Sequence, residues 1–394
     1  MTSPLLVFSD DWGRHPSSCQ HLARHLVRDR PVAWVNTIGT RSPKFDIATA
    51  KRVFGKLKQW TSAAETQRAD DEIPGNLTVL NPKMWPYFRS SLDRRLNRVL
   101  LLKHLQPAIA KMDALPTVVT TLPITADLVG RLPAAKWVYY CVDDFSQWPG
   151  LDQQAMDRME RLLVEKAHTI IAVSETLQRR LKEMGRDSHL LTHGVDTAIW
   201  RAGDVSPRIQ TAQGRAGDVS PRIPASKKIP ALKKIVFWGV IDRRMDAEFV
   251  RQLANDIEDG EIILVGPEND PDPALFKLPR VKKLPAMAFE QLPALAAEAS
   301  VLVMPYADLP VTRAMQPLKL KEYLATGKPV VARDLPANRD WADALDLAKT
   351  PEEFSKLVRE RMQTGLLAEQ EIARSRLSEE SWAAKASKFA EWIS

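Results

Sequence analysis

Cysteine is scarce: Cys19 and Cys141 are the only two in 394 residues. Two thiols cannot build a disulfide framework, and with no C-x-x-C pair they suggest no structural zinc. A reducing, cytoplasmic compartment is the expectation. No apolar run approaches the roughly 18–20 residues that a membrane-spanning helix needs. The opening MTSPLLVFSDDWGRHPSS has no basic stretch ahead of its apolar one, so no secretion signal is expected. A G-x-G-x-x-G fingerprint is missing from the first strand–helix turn of either half, which argues against a nicotinamide dehydrogenase. Zinc fingers, RNP-type segments and long Lys/Arg blocks are also missing, so nucleic acid is not an expected partner.

What is present is the material of a folded core. Hydrophobic residues make up 44% of the chain and include 11 Trp and 11 Phe, which excludes an intrinsically disordered protein. The net charge is +7, a modest excess that suits an anionic membrane surface or a phosphate-rich small substrate. Short apolar runs at 5–9, 31–36, 76–80, 117–121, 137–142, 168–173 and 189–192 read as buried parallel strands, several separated by amphipathic helical patterns. A second series starts afresh at 233–239, 261–266, 281–284, 300–305 and 329–332. Two successive βα series predict two doubly wound α/β domains, 1–198 and 231–380. Between them, 199–230 is rich in Pro, Gly, Ser and Lys and carries RAGDVSPRI twice, at 201–209 and 215–223, as a duplicated linker would. The last residues, 381–394, form a helical pattern with Trp382, Phe389 and Trp392 on one face; it could close the second domain or cross back to the first.

The run AMQPLKLKEYLATGKPVVA (314–332) holds the densest chemistry. Gly327 before Lys328-Pro329 marks a helix end, a turn and a strand, and Pro317 suits a first helical turn. A helix starting near Gln316–Lys319 presents unpaired backbone N–H groups and the Lys319 ammonium at its positive end. That combination suits a diphosphate, with Glu322 one turn on to accept from ribose hydroxyls. The same pattern also fits an ordinary surface helix.

This run resembles the donor-binding signature of GT-B glycosyltransferases (family 4-like, group 1), and within them a teichuronic-acid subgroup. In it a glutamate stands five residues before a glycine, ahead of a Pro-Val-Val strand. HTIIAVSETL (168–177), THGVD (192–196), WGVIDRRMD (238–246), LVGP (264–267) and MPY (304–306) resemble further family segments in the same order. The resemblance implies two Rossmann-like domains facing across a cleft, the N-terminal one for the acceptor and the C-terminal one for a nucleotide sugar. It implies that Gly239 lets the backbone approach the donor phosphates, that Arg244 and Lys319 neutralise the diphosphate, and that Glu322 holds the ribose. Tyr306, Gln316, Pro317 and Leu318 belong to the same donor set. One departure is Ala314, which stands where the family often has a glutamate that touches the sugar.

VYYCVDDFSQWPG (138–150) places Asp143 and Asp144 at the carboxyl end of an apolar strand, where open α/β sheets carry active residues. Either could serve as general base toward an acceptor hydroxyl, or one could cap the following helix. The resemblance points to Asp143 as the catalytic position, with Asp144 as its rival. Neighbouring carboxylates on a strand project to opposite sides and chelate poorly together, so no metal is expected; no cofactor is expected either, the nucleotide sugar being a substrate. In the opening segment, Asp11, Gly13, Arg14 and His15 are candidates for the acceptor side, or the segment is simply a helix start capped by Ser17 or Ser18. Two basic-apolar stretches, 51–60 and 85–105, could lie on an anionic leaflet, or pack on the sheet with a solvated basic face.

The expectation is a metal-independent glycosyltransferase, cytoplasmic or peripheral on the inner membrane face. It would move a sugar from a UDP- or GDP-sugar to a hydroxyl of a polysaccharide or lipid-linked glycan. A nucleotide-sugar epimerase, or a degenerate sugar-nucleotide-binding protein, are the alternatives.

Overall fold

The computed structural model describes residues 2–13, 17–37, 74–148, 150–201 and 233–394. The predicted linker beyond residue 201, the basic stretch 51–60, and Arg14 and His15 lie outside the described residues. Two compact units form, and each is an α/β layer structure.

The first unit comprises Met1–Gly194, Arg313–Leu318 and Glu380–Ser394. Its strands are β1 (Leu5–Ser9), β2 (Val32–Asn36), β3 (Leu77–Leu80), β4 (Thr117–Thr120), β5 (Lys136–Cys141), β6 (Thr169–Ala172) and β7 (His189–Leu190). They pair in parallel in the order β3-β2-β1-β4-β5-β6-β7. Every residue of β1 and β4 is buried, which is why these strands read as unbroken apolar or β-branched runs rather than alternating ones. The order reverses between β1 and β4, and at such a switch point the loops at the carboxyl ends of the two strands part and open a crevice. Ser17 caps the helix Ser18–Leu26 by accepting from Gln20 N, the helix-start reading of the opening segment.

The C-terminal helix Trp382–Ile393 belongs to this first unit. Its buried residues, Trp382, Ala386, Phe389 and Ile393, follow helical spacing. Trp382 stacks on His21 at 4.5 Å, Phe389 meets Tyr140 edge-on at 5.3 Å, and Trp392 stacks on His189 at 4.5 Å. Gly194 is required beneath the indole, because a Cβ there would lie 2.8 Å from the Trp382 ring.

The second unit comprises Val195–Thr312 and Lys319–Glu379. Its strands are β8 (Lys234–Trp238), β9 (Ile241–Asp242), β10 (Glu261–Val265), β11 (Glu268–Asn269), β12 (Val281–Leu284), β13 (Val301–Met304), β14 (Val330–Arg333) and β15 (Asp346–Ala348). Six of them form a sheet in the order β12-β10-β8-β13-β14-β15, while β9 and β11 pair separately. Three strands, β9, β11 and β15, escaped the sequence reading because two or three residues carry no measurable period.

The boundary at 231–380 needs correction. Arg313–Leu318 groups with the first unit, since the Ser174 hydroxyl donates to the Ala314 carbonyl at 2.7 Å and Ala314 is buried in that unit's core. Gln316, Pro317 and Leu318 therefore group with the first unit, whereas Lys319 and Glu322 group with the second. The first unit ends at Gly194 rather than 198, because Thr197–Arg201 forms a short helix whose Trp200 stacks on Trp238 of β8 at 5.5 Å.

Replacing the buried indole should expose how much the returning helix holds. Trp382→Ala is expected to cost about 3–5 kcal/mol, read in a urea titration followed by near-UV circular dichroism. An unchanged midpoint would mean that the helix is not part of the first unit's core.

Candidate donor site and strand-end carboxylates

In the second unit the switch point falls between β8 and β13, and of the predicted donor residues Gly239, Tyr306 and Lys319 meet there. The chain leaves β8 through Gly239, whose φ of +141° is open to glycine alone among common residues. Gly266, leaving β10 with φ +145°, lies against it: a Cβ at 266 would come within 1.9 Å of the Gly239 carbonyl oxygen. Two strands can thus bring bare backbone to the same point. A Cβ on Gly239 would sit 2.1 Å from the Lys319 ammonium, so the lysine tip covers this glycine.

Lys319 lies in the first turn of the helix Leu318–Ala325, close to where the sequence places the helix start. Its ammonium donates to the Tyr306 hydroxyl at 2.6 Å and lies 5.0 and 5.3 Å from the ring centres of Phe237 and Tyr306. Ring faces and a neutral hydroxyl hold a cation in place without cancelling its charge. Tyr323, fully buried on the same helix, accepts from Trp238 N at 2.9 Å and so ties the helix to the end of β8.

Glu322 is half-buried, one turn on from the helix start. Desolvation pushes its carboxyl up to about 7, opposed by the Lys319 ammonium and the Trp238 side chain.

Arg244, expected to neutralise a diphosphate, pairs with Asp242. Its Nε lies 3.0 Å from both oxygens of Asp242, and its Nη2 lies 2.8 Å from Oδ2. The loop that carries it is pinned to the end of β13, with Ala307 N donating to the Arg244 carbonyl at 2.7 Å and Asp246 N to Pro305 O at 2.8 Å. Asp242, Phe237, Tyr323 and Gly266 were not singled out by sequence reasoning. Gly266 lies in the LVGP segment, Asp242 in WGVIDRRMD and Tyr323 in the 314–332 run.

Gln316 and Pro317 are buried and Leu318 is half-buried, all within the first unit. At the end of β5, Asp143 and Asp144 have different surroundings. Asp144 caps the next turn, accepting from Ser146 N at 3.1 Å and Ser146 Oγ at 2.5 Å, and pairs with Arg180 at 3.2 Å. Arg180 also donates to the fully buried Glu160 at 2.6 Å, and Glu160 accepts from the Tyr139 hydroxyl at 2.8 Å. Asp143, half-buried, precedes this anchored turn.

At the end of β1, Gly13 (φ +73°) donates its N–H to the Gln20 side chain at 3.1 Å, and the Asp11 carbonyl accepts from the same amide at 3.3 Å. The neighbouring Asp10 stands in the sequence only as one of an adjacent acidic pair. Ser9 (2.8 Å), Ser17 (3.1 Å) and Gln20 (3.0 Å) hold its carboxylate, while burial pushes its carboxyl upward.

A glycine pair baring two strand ends, a cation held by aromatic faces and a half-buried carboxylate lie together at the switch point of a Rossmann-like unit. Residues 233–364 match the family described as glycosyl transferases group 1. Over 105 residues the chain is 31% identical to the Bacillus subtilis (strain 168) protein TuaH, named as a teichuronic acid biosynthesis glycosyltransferase; the match spans 26% of each chain. The fold is similar to that of sucrose-phosphate synthase from Thermosynechococcus elongatus, with a TM-score of 0.68 at 14% identity over 99% of this chain and 98% of that one. It is also similar to Anabaena Alr3699/HepE in complex with UDP-glucose, with a TM-score of 0.64 at 15% identity over 99% and 98% of the two chains. The chain has the GT-B fold, and residues 233–364 of its second unit are similar to the group 1 glycosyl transferases.

The raised carboxyl of Glu322 makes stability depend on pH. Its pKa of about 7 in the folded chain exceeds the usual 4.5, so its stabilising contribution is complete below about pH 4.5 and is lost as pH rises through 7. Glu322→Gln should match the parent near pH 4 and exceed it by about 1–3 kcal/mol at pH 8, measured by denaturant titration at both pH values. Equal stability at pH 8 would show an ordinary, solvated carboxylate.

Proposed function

We propose that this protein is a glycosyltransferase that moves a sugar from a nucleotide-sugar donor, UDP- or GDP-linked, to a hydroxyl of a polysaccharide or lipid-linked glycan. The observation that carries the reading is the Lys319 ammonium, held by Tyr306 over the bare backbone of Gly239 at the switch point of the second sheet. In the reaction the bond from the sugar's anomeric carbon to the diphosphate oxygen breaks, and a bond to the acceptor oxygen forms. Negative charge grows on the departing diphosphate, where Lys319 and the first-turn N–H groups of its helix stabilise it. Asp143 takes the proton from the acceptor hydroxyl. Asp144, whose carboxylate Ser146 and Arg180 engage, is the rival candidate. The reaction so written uses protein cations and dipoles in place of a metal. The TuaH similarity and the UDP-glucose complex of the Anabaena neighbour support a sugar-nucleotide donor.

We extend the proposal to a peripheral position on an anionic membrane surface. Among the described residues no helix is long and apolar enough to cross a membrane. The helix Ser91–Ile109 buries Leu101, Leu105 and Ile109, yet Leu92, Leu96 and Val99 on its other side are 73%, 43% and 53% exposed. Arg95 and Lys103 flank this second apolar stripe, the composition of a helix that rests among anionic headgroups.

Two experiments test these readings. A thermal-shift screen against UDP-, GDP- and dTDP-sugars should find a donor that adds about 2.7 kcal/mol at 100 times its Kd. Lys319→Ala should weaken that donor by about 10- to 100-fold, while Asp143→Ala should abolish transfer and leave donor binding intact. A screen without a binder, or full transfer by the Asp143 variant, would contradict the donor site or the base respectively. For the membrane face, Leu92→Ser/Leu96→Ser/Val99→Ser should lose co-sedimentation with phosphatidylglycerol vesicles. Equal sedimentation of parent and variant would remove that face from the account.

A further inference from the structure

We infer that Asp242 sets donor affinity by withholding Arg244. Toward a diphosphate the two side chains act as one neutral pair, and Lys319 is the charge that grips it. This rests on the donor-site reading above and refines which cation does the work.

The geometry of the pair leads to this inference. Asp242 takes the guanidinium side-on, with Nε at 3.0 Å from each carboxylate oxygen and Nη2 at 2.8 Å from Oδ2. Its Oδ1 also accepts the Arg244 backbone N–H at 2.9 Å, so the carboxylate is folded back onto its own loop. The Arg244 and Asp242 side chains are only 11% and 8% exposed, so little solvent weakens their attraction. The backbone that carries Asp242 is held in place, since its strand β9 pairs with β11 through Ile241–Glu268 and Asp242–Asn269.

Lys319 makes a different set of contacts. It is held by a neutral hydroxyl and two ring faces, and no ion pair joins it to a carboxylate among the described residues. The two cations share one wall of the site: Met245, next to Arg244, bridges to Tyr306, the residue whose hydroxyl accepts the lysine's hydrogen bond. A diphosphate arriving at Gly239 therefore meets a lysine that no ion pair engages among the described residues, with Glu322 acting on it only electrostatically. It also meets an arginine whose charge is already matched by an anion that would itself repel the phosphates. Freeing the arginine adds attraction; removing it alone exposes the anion; removing both charges leaves the balance as it was.

Calorimetric titration of UDP into the full-length protein tests this, with GDP as the probe where the screen selects it. Asp242→Asn should bind about fivefold or more tightly than the parent, and Arg244→Gln about fivefold or more weakly. The double variant D242N/R244Q should return to within about threefold of the parent. If Asp242→Asn binds no tighter, or if the double variant is as weak as Arg244→Gln, Arg244 grips the diphosphate directly and the inference is overturned. Thermal unfolding monitors the fold of each variant. Should either single variant be unstable, the double variant, which exchanges a neutral pair for a neutral pair, decides alone. Failure of the donor site itself has a separate signature: the parent, or Lys319→Met and the parent alike, would show no dependence on this pocket.

Discussion

A cation has to be kept charged, dry enough to act, and aimed at bare backbone; the contacts of Lys319 meet all three requirements. The Tyr306 hydroxyl fixes its tip and the Phe237 and Tyr306 rings flank it, none of which neutralises it. Much of the second unit's local sequence follows from this placement. Gly239 and Gly266 must lack side chains for two strand ends to approach each other beneath the ammonium. Tyr323 anchors the helix to β8 so that the helix's positive end stays aligned with that gap. Glu322, one turn along, pays for its desolvated position with a carboxyl raised to about 7.

The first unit solves a different problem, holding a turn still at the end of β5. One guanidinium, Arg180, gathers Asp144, Asp157 and the fully buried Glu160. Glu160 is further supported by Tyr139. Breaking such a network by removing one partner is costly, because it leaves buried charge uncompensated. Its position directly after Asp143 gives the reacting carboxylate of the proposed mechanism a rigid neighbour.

Much of this was readable before any coordinates. Strands buried on both faces announce themselves as continuous apolar runs, and a helix bounded by Pro317 and Gly327 is marked at both ends. What escaped has physical reasons. β9, β11 and β15 are too short to show a period. The return of Arg313–Leu318 to the first unit depends on a hydroxyl–carbonyl bond between positions 174 and 314, which no local pattern encodes. The pairing of Arg244 with Asp242 is close in sequence, yet spacing alone does not say whether two opposite charges two residues apart meet each other or both face a ligand. Asp10 was passed over for Asp11 because adjacent acids look alike until their hydrogen bonds are known.

The central claim is that Lys319 makes this a diphosphate site, and the contrast between UDP and uridine measures it directly. Calorimetry on the parent should show UDP binding at least about tenfold more tightly than uridine. That preference should shrink to a small residue in Lys319→Met, while the affinity for uridine stays as it was. Equal affinities for UDP and uridine in the parent, or an undiminished preference in the variant, would contradict the account.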